Sequence, residues 1–138
     1  MTFVPIKLDD VQESQPVEEG EYDLQIVKAE VGESKKGNTM ITVALRVLDE
    51  PNASLVNHWI VPPKASDSPE RQSLGRLDIA RFCYAFGIPY DASQGGFDTE
   101  DFHGKTARVF LKKEVNEQDG NEYNRVRLPK LPKDFALE

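Results

Sequence analysis

A mainly β domain is what these 138 residues predict, and three observations carry the expectation. Apolar residues alternate with polar ones in five segments, the period of a strand with one buried face. One stretch, residues 69–86, is instead apolar over much of a helical circumference and has helix-start and helix-stop residues at its ends. The segments run in the order β-β-β-α-β-β, with short polar turns everywhere except around the helix.

Residues 1–19 read as an acidic, largely irregular arm, in which only Phe3, Ile6 and Leu8 suit docking. "GEYDLQIVKAEV" opens the first strand, with Tyr22, Leu24 and Ile26 in one phase and Val27, Ala29 and Val31 in the other. A change of phase within one strand predicts a bulge, common where a sheet curls into a barrel. "GESKKGN" is the first turn, with Lys35 and Lys36 at its tip. "TMITVALRVLD" puts Ile41, Val43, Leu45 and Val47 on one face and Met40, Thr42, Ala44 and Arg46 on the other. The third strand, "LVNHWIV", stops at Pro62 and Pro63.

Ser68 is placed to cap the helix, Pro69 suits its first position, and Gly87 with Pro89 ends it. Leu74, Leu77, Phe82, Ala85 and Phe86 form a stripe wide enough for a helix that plugs a core. A long irregular connection leads to a last hairpin around "NEQDG". Five strands with a helix between the third and fourth describe the OB-fold, a partly open Greek-key barrel, although other five-stranded barrels share the order. Residues 20–131 form this domain, and residues 132–138 a short tail.

The net charge of −7 argues against nucleic acid as a partner, since such binders are usually basic, yet it is unevenly spread. Residues 1–33 carry a local net of −7, residues 34–102 of −2, and residues 103–138 of +2. A cationic face can hold phosphate while acids elsewhere limit non-specific contact. The start of the chain has no basic-then-apolar signal, and no run approaches the roughly 20 apolar residues that a bilayer requires. A soluble protein without a membrane partner is the expectation. The lone Cys83, among apolar neighbours, reads as a small buried hydrophobe.

Catalysis finds no footing in the sequence. His58 and His103 stand at no metal-ligand spacing, and neither a phosphate loop nor a nucleophile elbow occurs. The cluster Asp98, Glu100, Asp101 and His103 suits solvated and helix-capping roles better than a metal site. No catalytic residue, metal or cofactor is expected.

Binding to a nucleic-acid strand is better supported. Such proteins need cations for the backbone and exposed rings on which bases stack, a contact that every base can make. If the last two strands pair, Arg108, Phe110 and Lys112 share a face with Tyr123, Arg125 and Arg127. Lys35 and Lys36, and Lys112 with Lys113, enter the two loops that flank an OB cleft. The phosphate-binding candidates are Lys35, Lys36, Arg46, Lys112, Arg125 and Arg127, and the stacking candidates are Trp59, Phe110 and Tyr123. Half-solvated strands also carry outward charges without any ligand, and Phe110 fits beneath the arm or the helix equally well. Trp59 shares its phase with Asn57 and Val61, against Val56, His58 and Ile60, which suits a core position or a platform alike.

The "GEY" strand opening, the Ser-Lys-x-Gly-Asn turn into "V-x-L-x-V", and the closing "GK-x-x-x-V…N-x-Y-N-x-V" hairpin resemble a family of phage single-stranded DNA-binding proteins, long catalogued as a domain of unknown function. The likeness covers about residues 18–129 and places Lys35, Asn38, Lys105, Tyr123, Asn124 and Arg125 at motif positions. It implies an OB-fold, sequence-tolerant binding of single-stranded DNA, and work with phage or host replication or recombination proteins in the cytoplasm of an infected bacterium. Two alternatives stay open: a protein-interaction OB module, such as a replication or virion accessory factor, and an RNA-preferring one. The terminal "LPKDFALE" lacks the long acidic tail through which many such proteins recruit partners; the acidic stretch of residues 9–23 is a candidate for that role, but a plain disordered leader explains it better.

Overall fold

The computed structural model describes residues 1–91 and 93–133. The residues of the expected tail from Asp134 onward, Phe135 and Glu138 among them, lie outside the described residues. Strand β1 (Gly20–Glu33) leads into β2 (Thr39–Val47) and β3 (Val56–Ile60). Helix α1 (Pro69–Phe86) and a short 3-10 turn (Thr99–Asp101) precede β4 (Thr106–Val115) and β5 (Glu122–Arg127). All neighbouring strands are antiparallel, in the sheet order β3-β2-β1-β4-β5. The sheet curls until its edge strands β3 and β5 approach without a hydrogen-bonded ladder between them. The result is a nearly closed, OB-like five-stranded barrel.

Strand β1 makes the curl possible. Its first part, Gly20–Gln25, pairs with β4, and Leu24 onward pairs with β2. The register shifts between Ile26 and Lys28, so the phase change in the sequence is a bulge at Val27. The bulge strengthens the local twist and lets one strand serve both halves of the barrel. The turn after β1 closes on itself: Gly37 N–H donates to the Ser34 carbonyl (2.9 Å), and Asn38 N–H to the Ser34 hydroxyl (3.1 Å). Gly37 has φ +80°, which explains the glycine in Ser-Lys-x-Gly-Asn.

The interior is built by the alternating sets: Leu24 and Ile26 from β1, Ile41, Val43 and Leu45 from β2, Val109 and Leu111 from β4. Helix α1 closes one end. Ser68 accepts from Arg71 N–H (3.2 Å), and Gly87, left-handed at φ 67°, stops the helix. Phe82 is its central plug, with ring centroids 4.7 Å from Phe86, 5.6 Å from Phe102 and 5.2 Å from His58.

Two expectations need correction. The apolar stripe of α1 does not bury along its whole length. Only Phe82, Cys83 and Phe86 are buried, while Leu74 is 64% exposed, because the barrel end covers just the last turns of an 18-residue helix. The arm docks, but not through Phe3, Ile6 or Leu8, which are all exposed. Docking is by Gln15–Glu19. Gln15 N–H donates to the Asn52 carbonyl (3.0 Å) and its carbonyl accepts from Ser54 N–H (2.9 Å). Two residues on, Val17 N–H donates to Asn124 Oδ1 (2.8 Å), and Asn124 Nδ2 donates to the carbonyls of Val17 (2.9 Å) and Lys112 (3.1 Å). Glu18 and Glu19 hold Lys113, at its Nζ and its backbone N–H respectively. The arm thus spans from β5 to the β2–β3 turn, across one end of the β3–β5 gap.

Asn124 is only 7% exposed and makes three of the bonds in that clasp. Asn124→Ala leaves the Val17 backbone groups without their partner, a cost of about 1–3 kcal/mol. Chemical denaturation reads that loss. Amide exchange at Val17 is expected to accelerate more than at Val109, and equal rates at both would mean that the clasp does not hold the arm.

Candidate functional site

Strands β3 and β5 run side by side in the same direction, and the gap between them is an open groove of about 820 Å³. Alternation decides what faces it. In β5, Asn124 and Val126 point into the barrel, so Tyr123, Arg125 and Arg127 point out. In β3, Val56 and Ile60 point in, and Asn57 and Trp59 point out. Trp59, 53% exposed, and Tyr123, 40% exposed, therefore line one groove from opposite strands. Lys112 and Glu114 join from β4, and Asp78 and Arg81 from α1.

The β4–β5 register sets Phe110 opposite Arg127, Lys112 opposite Arg125 and Glu114 opposite Tyr123. The expected shared face of rings and cations exists. Arg127 lies over the Phe110 ring at 4.9 Å, which leaves Phe110 half-buried beneath a guanidinium and outside the groove lining. Arg125 is 3.4 Å from Glu114, and the Tyr123 hydroxyl donates to the same carboxylate at 3.4 Å. An exposed pair of this kind contributes little to stability and can be exchanged for a phosphate. Arg108, on the same strand face, is instead tied to Glu21 and Asp23 (3.5 and 3.4 Å).

The remaining candidates sit elsewhere. Lys35 and Lys36 are exposed in the β1–β2 turn, and Arg46 lies on the outer face of β2, where it donates to Gln25 Oε1 (2.6 Å). The groove thus gathers Trp59, Lys112, Tyr123, Arg125 and Arg127, but not Lys35, Lys36, Arg46 or Phe110. Sequence reasoning missed Asn57, Asp78, Arg81 and Glu114 as groove residues. Gly75, Asp78, Ile79 and Phe82 share one helical face by spacing, which was the available signal for the α1 wall.

His58 forms part of the groove floor and stacks on Phe82 with an interplanar angle of 3°. Burial pushes its pKa below the ordinary histidine value; Asp78 opposes that shift and Arg125 adds to it. The groove carries four cations, Arg81, Lys112, Arg125 and Arg127, against two acids, Asp78 and Glu114. Asp98 has a local structural role, capping the 3-10 turn by accepting from Glu100 N–H (2.9 Å). Among the described residues no cluster of His, Cys, Asp or Glu is placed to hold a metal ion, and no helix is long and apolar enough to cross a membrane.

An OB-like barrel with an aromatic, net-cationic groove along its open seam is the class of protein defined by this geometry. The chain belongs to the family described as "Protein of unknown function (DUF669)", which matches residues 5–136. No curated protein matches it.

Proposed function

We propose that the protein binds single-stranded DNA along the β3–β5 groove without sequence preference, in support of phage DNA replication or recombination. The observation that carries the reading is the meeting of Trp59 and Tyr123 in one groove with four cations. Exposed rings offer bases a stacking surface worth about 1–3 kcal/mol per base, and guanidinium groups suit phosphate oxygens. Lys35, Lys36 and Arg46 would extend the phosphate track beyond the groove. The phage setting, the host cytoplasm and replication or recombination partners rest on the resemblance of the "GEY" strand, the Ser-Lys-x-Gly-Asn turn and the closing hairpin.

Trp59 is the only tryptophan, so its fluorescence reports on the groove alone. Titration with oligo-dT is expected to quench it, and added salt to reverse the quench. Each phosphate neutralised contributes a slope of about −0.7 on a log–log salt plot. Four groove cations therefore set a slope near −3, steeper if the track outside takes part. Absence of salt-sensitive binding would sink the proposal. Competition with matched RNA decides the sugar, since stacking itself does not distinguish ribose from deoxyribose.

A further inference from the structure

We infer that the part of the acidic arm before its Gln15 anchor, residues 1–14, folds back into the β3–β5 groove and competes there with the single strand. The inference rests on the binding reading above for its consequence, although the arm–groove contact itself does not require DNA.

Four observations converge. The arm is fastened at the mouth of the groove, since Asn124, which clasps Val17, is itself a groove-lining residue. Gln15, beside Ala53, holds the arm near the start of β3. Beyond that anchor the Ser54 hydroxyl still donates to that of Ser14 (3.3 Å), but Phe3, Val4, Ile6, Leu8 and Val11 are all exposed, Phe3 at 87%. Its chemistry imitates the proposed ligand. Asp9, Asp10 and Glu13 outnumber Lys7 and offer carboxylates where a strand offers phosphates, and Phe3 is a ring suited to Trp59 or Tyr123. The groove they would meet is net cationic.

Reach is sufficient. Fourteen residues extend to at most about 45–50 Å, at about 3.3–3.6 Å each. The six residues of β5 span only about 20 Å. A reversal is already present in the arm, where Val11 N–H donates to the Leu8 carbonyl (3.3 Å). A tether this short presents its segment at a millimolar effective concentration, so even a weak contact fills the groove for much of the time. Apparent strand affinity then falls in proportion to the fraction of molecules with an open groove.

The test places a nitroxide on Thr2→Cys in the full chain. Cys83 does not interfere, because it is buried and its thiol is pushed up to about 11. At low salt, without DNA, the label is expected to broaden the Trp59 indole N–H and the backbone amides of Arg125 and Arg127. The broadening should vanish on adding oligo-dT, and also in the variant Asp9→Asn, Asp10→Asn, Glu13→Gln. If the arm fills the groove half of the time, that variant binds oligo-dT about two-fold more tightly. No broadening at the groove overturns the inference. So does broadening that grows with protein concentration, which would make the occupant a second copy. Because broadening is read without DNA, failure of strand binding and failure of the arm contact are separate results.

Discussion

Exchanging Arg125 and Arg127 together for glutamate is expected to abolish binding to single-stranded oligomers while the barrel stays folded. The groove holds four cations and two acids, so the exchange inverts its formal balance from +2 to −2. Removal of two phosphate partners lowers the log–log salt slope by about 1.4, and repulsion by the new carboxylates weakens what remains. At moderate salt the loss should exceed about 100-fold, readable in a gel shift or in Trp59 quenching. The fold should tolerate the change, because both side chains point outward, alternating with the buried Asn124 and Val126. The contact of Arg127 with Phe110 contributes only about 0.5–1 kcal/mol at an exposed site. Retained binding in a folded double variant would leave the hairpin as ordinary solvated sheet. A protein-binding role for the groove, with the cations meeting an acidic partner, would then be the better reading.

Phe82→Ala is expected to cost about 3–5 kcal/mol, enough to unfold a marginal domain. Phe82 is fully buried and, among the described residues, its ring is in contact with His58, Phe86 and Phe102 at once. These partners come from β3, from α1 and from the connection into β4, so the ring joins the helix to both halves of the barrel. Its loss leaves a cavity that backbone elements cannot close, and removes the surface that orients His58 in the groove floor. Urea denaturation measures the effect. A cost below about 1 kcal/mol would mean that α1 does not plug the barrel in solution. Leu74→Ala on the same helix should be nearly neutral, since Leu74 faces solvent.

The two variants divide the molecule along a line that the sequence shows only in part. Strand and helix positions were legible because alternation and capping are local. The phase change in "LQIVKAEV" became the bulge at Val27, and Ser68 and Gly87 bound the helix. The face of the last hairpin was legible too, since a strand alternates whatever its surroundings. Trp59 was not. In "LVNHWIV" both phases hold one ring and comparable apolar content, so periodicity cannot choose between them. The choice follows from the stack of His58 on Phe82, a contact between β3 and a helix that comes later in the chain.

Asn124 illustrates the same limit. A polar residue in the inward phase of β5 looks like a flaw until its partner, Val17, is found 107 residues away. Leu74 errs in the opposite direction, an apolar residue in a helical stripe with no surface above it.

What this sequence determined by itself is the set of elements, their order, and which side chains of each strand share a face, because those follow from nearest-neighbour backbone geometry. What only the tertiary structure decided is which faces meet: the approach of β3 to β5, the groove shared by Trp59 and Tyr123, and the docking of the arm at Asn124. Those depend on how far a bulged sheet curls around its helix, and that curl is a balance of packing contacts among residues far apart in the chain.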